Sequence, residues 1–146
     1  MSPGDLDRAV IRRHLLALDQ ALQTLKRHQG QPVEVLRSNP EERWVAERGL
    51  QLCTQNVLDI ATHIAASAGR DVPDYATAID RLAELEILPV DFATGFRAVA
   101  GFRNVIVHGY LDTDLTIVHR LLNDNLKDFV DFARWVSKYV EHQTEP

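Results

Sequence analysis

The chain has 146 residues, 45% apolar and 25% charged, and its 16 basic against 21 acidic side chains give a net charge of −5. One cysteine, Cys53, excludes an intrachain disulfide framework, and no apolar run approaches the roughly 18 residues that a membrane span needs. An acidic balance also excludes coating of nucleic acid by bulk charge, so any nucleic-acid role has to come from a local site.

The length fits a single domain over 1–146, with a core over about 5–141. Such a chain buries its core without metal or disulfide. The start, Met1-Ser2-Pro3-Gly4-Asp5, has neither the basic nor the apolar region of a signal peptide. With the lone cysteine, this leads us to expect a cytoplasmic protein.

From Asp5 to about His28, Leu6, Val10, Leu15, Leu18, Leu22 and Leu25 recur at helical spacing and predict an amphipathic helix. Gln29-Gly30-Gln31-Pro32 ends it, and residues 31–39 read as a connection. Asn39-Pro40-Glu41-Glu42 starts a second helix: Asn39 caps it, Pro40 takes the first helical position and Glu42 can close a capping box. It runs to about Ala68, stops at Gly69, and turns Trp44, Val45, Leu52, Val57, Ile60 and Ile64 inward. Asp71-Val72-Pro73-Asp74 is a break and a cap. A third helix over about 75–86 buries Tyr75, Ile79, Leu82 and Leu85. Pro89 opens a fourth, with Phe92, Phe96, Val99, Phe102 and Ile106 on its inner stripe and Gly109 as its stop after His108. Asp112-Thr113-Asp114 starts the last, which carries Leu115, Val118, Leu122, Leu126, Phe129, Val136 and Val140 to about Glu141. Short connections between amphipathic helices predict an all-α antiparallel up-and-down bundle of about five helices. Helices this long can offer a second face to another copy, hence a two-fold dimer.

One segment carries chemistry: Phe102-Arg103-Asn104-Val105-Ile106-Val107-His108-Gly109-Tyr110. Asn104 and His108 share a helix face. Arg103 and His108 lie about 140° apart on an ideal helix, within reach of a long side chain near a fraying end. A helix C-terminus favours the imidazolium and poises His108 for proton transfer near neutral pH. A fixed guanidinium suits a phosphate. On these residues alone, an Arg103 paired with an acid and a His108 that merely caps the helix is the commoner arrangement, and the cluster does not name a reaction by itself.

The string Arg-x4-His-x-Tyr, with Asn directly after the Arg, resembles the signature of the HEPN superfamily and more narrowly of the HepT-type toxins. Ala46-Glu47-Arg48-Gly49-Leu50-Gln51 and Asp59-Ile60-Ala61-Thr62-His63-Ile64 resemble the second helix of such proteins. The resemblance, over roughly residues 5–140, implies a HEPN-like bundle and a metal-independent ribonuclease toxin acting on RNA as a homodimer. It implies catalytic roles for Arg103 and His108, with Asn104 orienting a phosphate or His108. It further implies a minimal nucleotidyltransferase antitoxin (MntA-type) that transfers AMP to Tyr110. The alternative is a non-catalytic helical module that binds a nucleotidyltransferase partner and a nucleotide or phosphate.

No cofactor is expected. His14, His28, His63, His119 and His142 show no zinc-ligand spacing. His63 reads as a hydrogen-bonded, partly buried histidine and Cys53 as a small core residue. Trp44 and Trp135 read as core or interface. Arg8, Arg12 and Arg13 read as a solvated face rather than a phosphate site. Asp124, Lys127, Asp128, Asp131 and Arg134 form a solvent face with ion pairs.

Overall fold

The computed structural model describes residues 6–108 and 114–142, the side chains of 104–108 excepted. Among these residues every regular element is a helix: α1 (Arg8–Lys26), α2 (Val33–Ser38), α3 (Pro40–Ser67), α4 (Tyr75–Glu84), α5 (Val90–Phe96), α6 (Val99–His108), α7 (Leu115–Asp124) and α8 (Leu126–His142). The all-α bundle is as the periodicity predicts, and Asn39, Asp74 and Asp114 cap as expected, whereas Glu42 does not close a capping box: its carboxylate pairs with His28 and the Asn39 amide bonds the Val35 carbonyl. Asn39 Oδ1 accepts from the Glu41 and Glu42 amides, with Pro40 in the first turn. Asp74 accepts from Thr77 and Asp114 from Thr116 and Ile117. Gly30 and Gly69 take φ of 88° and 75° after α1 and α3, in the left-handed region that favours glycine. No described helix is long and apolar enough to cross a membrane.

The bundle has more, shorter helices than the five expected. Residues 33–38 are helical rather than a connection: Pro32 precedes a turn that it can start, and Leu36 is buried under it. The fourth expected helix is interrupted at 97–98, giving α5 and α6. The apolar stripe runs on across the interruption, so periodicity does not reveal it. Arg97 is held there by Asp80 of α4, at 3.0 and 3.2 Å. The last expected helix is divided at Asn125, whose side-chain amide donates to Asp128 Oδ2 at 3.1 Å. The third ends two residues early. Glu86 adopts φ 62°, and the Glu86 and Ile87 amides bond back to Ala83 and Leu82, a Schellman stop without its glycine. The expected stop at Gly109 and the start at Asp112-Thr113 lie outside the described residues.

Helix α3 is the axis of the fold and touches α1, α2, α4, α6, α7 and α8. Its stripe Ala46, Leu50, Cys53, Val57, Ile60 and Ile64 is fully buried. Trp44, expected inside, is 61% exposed. At 100° per residue it lies about 160° round the helix from Ala46, on the face away from that stripe. At the crossing with α1, Gly49 leaves room for the fully buried Leu25. Phe96 stacks on Phe92 and Phe132 at 4.8 and 5.4 Å and meets Phe129 edge-on at 5.7 Å, tying α5 to α8. Trp135 packs against the core and meets Phe92 edge-on. The loop after α1 is pinned to α7: Gln29 donates to the Leu122 carbonyl at 2.8 Å, Gly30 to Asn123 at 2.7 Å, and His119 bonds the Gln31 carbonyl at 2.7 Å.

Candidate active site

The part of the expected catalytic string from Phe102 to His108 lies on α6, whose last helical residue is His108. Phe102 and Arg103, adjacent in sequence and about 100° apart on that helix, meet different neighbours. Phe102 packs onto the core and borders a cavity of about 320 Å³ shared with Ile117, Arg120, Leu121 and Phe129. Arg103 turns towards α3 and α4 and is half-buried. Its Nε donates to Gln55 Oε1 at 2.9 Å, and its guanidinium carbon lies 5.2 Å from the centroid of the Tyr75 ring. Gln55 in turn donates from Nε2 to Asp59 Oδ1 at 2.8 Å, one turn along α3. Arg103 therefore sits where three helices meet, fixed by a directional hydrogen bond at one edge and an aromatic face near its centre. A guanidinium carries a permanent charge on a planar fork of donors. That is what recognition of a phosphate requires.

The side chains of Asn104 and His108, and all of Tyr110, lie outside the described residues. The backbone fixes only that Asn104 and His108 follow Arg103 on α6, with His108 at its end.

The other histidines are placed plainly. His63 Nε2 accepts from the Asp7 amide at 3.1 Å and is half-buried, as expected. His14 bonds Asn56 at 2.8 Å, and His28 pairs with Glu42 at 2.9 Å. His142 is exposed and, with Lys138 and Glu86, lines a cavity of about 680 Å³. No cluster of three or more His, Cys, Asp or Glu among the described residues has the arrangement of a metal site. Cys53 is fully buried, and that burial pushes its thiol up to about 12, far from a nucleophile. Of the α1 arginines, Arg12 and Arg13 are exposed and Arg8 half-buried. On α8, Arg134 pairs with Asp131 at 3.0 Å, the expected charged face.

Sequence reasoning misses Gln55, Asp59 and Tyr75 as neighbours of Arg103. Tyr75, expected as core, is only half-buried, its ring beneath the guanidinium. A signal for the other two is present. Gln55 and Asp59 are a polar pair one turn apart in a stretch whose Cys53, Thr54, Val57, Leu58 and Ile60 are all buried. A polar pair in so apolar a stretch of helix implies a polar group arriving from elsewhere.

Comparison with known proteins places the chain in a family. Residues 18–136 match the family described as ribonuclease HepT-like. The chain is 26% identical over 138 residues to the tRNA nuclease HepT of Aphanizomenon flos-aquae, covering 93% of each. Its fold is similar to that of YutE, a cytosolic protein of unknown function from Bacillus subtilis, with a TM-score of 0.83 at 18% identity, covering 97% of this chain and 95% of that one. It is also similar to that of the tri-AMPylated HEPN toxin of Shewanella oneidensis in complex with MNT antitoxin, with a TM-score of 0.77 at 20% identity, covering 88% and 97%. With most of its length matched and the Arg-x4-His-x-Tyr string in its sequence, this chain belongs to the ribonuclease HepT-like family.

Proposed function

We propose that this chain is the toxin ribonuclease of a toxin–antitoxin pair, acting in the cytoplasm as one domain over 1–146. In this reading it cleaves RNA without a metal at a site built from Arg103 and His108 in a two-fold dimer. A minimal nucleotidyltransferase antitoxin neutralises it by transferring AMP to Tyr110. The observation that carries the reading is Arg103, anchored at the meeting of α3, α4 and α6 on the same helix that ends at His108.

RNA contains its own nucleophile. His108 takes the proton of a ribose 2′-OH as the oxygen attacks phosphorus. The bond to the 5′ oxygen breaks, and that oxygen receives a proton from the imidazolium of the second subunit. The products are a cyclic phosphate and a 5′-hydroxyl. The two Arg103 guanidiniums stabilise the charge that grows on the phosphoryl oxygens, and Asn104 orients the phosphate or His108. One chain offers one histidine in this string, so the base and the acid require two copies. AMP transferred to the Tyr110 oxygen places a phosphate beside these cations and a purine across the entrance. Both exclude the RNA backbone.

Growth on induction of the wild-type chain and of His108→Ala, alone and with the antitoxin, tests the reading. Wild-type arrests growth and His108→Ala does not. Purified wild-type cleaves RNA in EDTA, while His108→Ala and Arg103→Ala each lose about 10²- to 10⁴-fold in rate. Tyr110→Phe stays toxic, escapes the antitoxin and carries no added AMP mass. Equal cleavage by wild-type and a doubly substituted Arg103→Ala/His108→Ala chain would refute the assignment, and a wild-type chain that cleaves no RNA would leave the non-catalytic module.

A further inference from the structure

We infer that Gln55 is a positioning residue for Arg103, and that its uncharged amide anchors the guanidinium without itself neutralising it. The inference rests on the reading of Arg103 as the phosphate-facing cation. Three observations lead to it. Arg103 Nε donates to Gln55 Oε1 at 2.9 Å. The other end of the same amide donates to Asp59 Oδ1 at 2.8 Å. The Tyr75 ring lies 5.2 Å from the guanidinium carbon.

The order of donors and acceptors along this chain of groups is fixed. A carboxylate at 59 can only accept, so it takes the NH₂ end of the Gln55 amide and turns the oxygen towards Arg103. The oxygen then engages Nε and sets the rotation of the guanidinium, and the Tyr75 face sets its tilt. A carboxylate at 55 would hold Nε more strongly, yet it would oppose the charge on which phosphate attraction depends. It would also face Asp59 one turn away on α3, a like-charge pair. An amide meets both requirements. Asp59, one side chain further off, orients the anchor.

Four variants separate anchoring from charge: Gln55→Leu, Gln55→Glu, Gln55→Glu/Asp59→Asn and, as control, Arg103→Ala. Each is assayed for kcat and KM on RNA and for melting temperature, and those that keep Arg103 are followed by NMR for exchange of its Nε–H with water. Gln55→Leu keeps the shape and removes the acceptor. It lowers kcat by about 10- to 100-fold, the size of effect that small misplacement of a catalytic group produces, and speeds exchange of the Nε–H. Gln55→Glu keeps the Nε–H protected but raises KM. The double variant moves the carboxylate from 59 to 55 and the amide from 55 to 59, so the new amide donates to the new carboxylate. It keeps kcat within a few-fold of wild-type and retains the raised KM, a split that a merely structural role would not produce. Should Gln55→Leu melt far below wild-type, the two folded variants with a carboxylate at 55 and the exchange measurement still decide. If Arg103→Ala abolishes cleavage while Gln55→Leu cuts at the wild-type kcat with an unchanged Nε–H, this inference falls and the functional reading stands. If wild-type and Arg103→Ala cut alike, both fall.

Discussion

Replacing Gly49 by alanine tests how tightly α1 and α3 meet. A Cβ at that position would lie 2.4 Å from Leu25 Cδ2 and 2.7 Å from Leu25 Cγ, closer than carbon atoms tolerate. Leu25 is fully buried and has no solvent to move into. Forcing a methyl into a packed core costs about 1–3 kcal/mol, and the helix propensity of alanine over glycine returns about 1 kcal/mol. The net expectation is a loss of about 1 kcal/mol and a melting point lower by roughly 3–5 °C. Truncating Leu25 to alanine costs about 2–5 kcal/mol on its own, but it empties the space that the new methyl needs. In that background Gly49→Ala becomes stabilising by about 1 kcal/mol, so the double-mutant cycle returns a coupling of about 2 kcal/mol. Urea unfolding followed by far-ultraviolet circular dichroism, at one protein concentration throughout, measures all four corners. A stabilising Gly49→Ala in the wild-type background, or coupling below about 0.5 kcal/mol, would refute the account of this crossing.

Three further outcomes are expected. Cys53 resists iodoacetamide in the native protein and reacts at the rate of global unfolding. Its raised value, about 12 against 9.0, makes the neutral thiol's contribution full below 9.0 and lost as the pH climbs towards 12; rapid native-state labelling would contradict this. Thr54→Val raises stability by about 1 kcal/mol, because Thr54 Oγ1 is buried with no hydrogen-bond partner among the described residues and a methyl removes that penalty; thermal melting reads the sign. The Thr77 amide and hydroxyl hold the Asp74 carboxyl below its usual value. The cap is therefore full above the ordinary carboxylate pKa and lost as pH falls through the lowered one. Asp74→Ala accordingly melts below wild-type near neutral pH, and the gap closes in acid.

The sequence makes the helices legible where side chains act locally. Asn39, Asp74 and Asp114 bond amides within their own first turns, so each start can be read from a few residues. The interruptions at 97–98 and at Asn125 are not legible, because the apolar stripe continues through both. The contacts found there join side chains: Arg97 with Asp80 needs the packed fold, and Asn125 with Asp128 is a local pair that an unbroken helix could carry as well. The site follows the same rule. Arg103, Asn104, His108 and Tyr110 form a contiguous string and can be read as one. Gln55 and Tyr75 stand 48 and 28 residues from Arg103 in the chain and meet it only when α3, α4 and α6 pack.

That division bears on how an acidic chain can act on RNA. With a net charge of −5 there is no bulk attraction for a polyanion, so binding energy has to be concentrated in a few well-placed cations. Several arginines are spent on other work: Arg81, Arg97, Arg43 and Arg134 face carboxylates at 2.9, 3.0, 3.7 and 3.0 Å. The Nε of Arg103 donates to a neutral amide, and a tyrosine ring lies near its guanidinium carbon. A guanidinium desolvated by half-burial and oriented by such groups attracts phosphate more strongly than an exposed one screened by salt. In this reading, selection among RNAs follows from where two such cations stand in a dimer, and not from how many positive charges the surface carries.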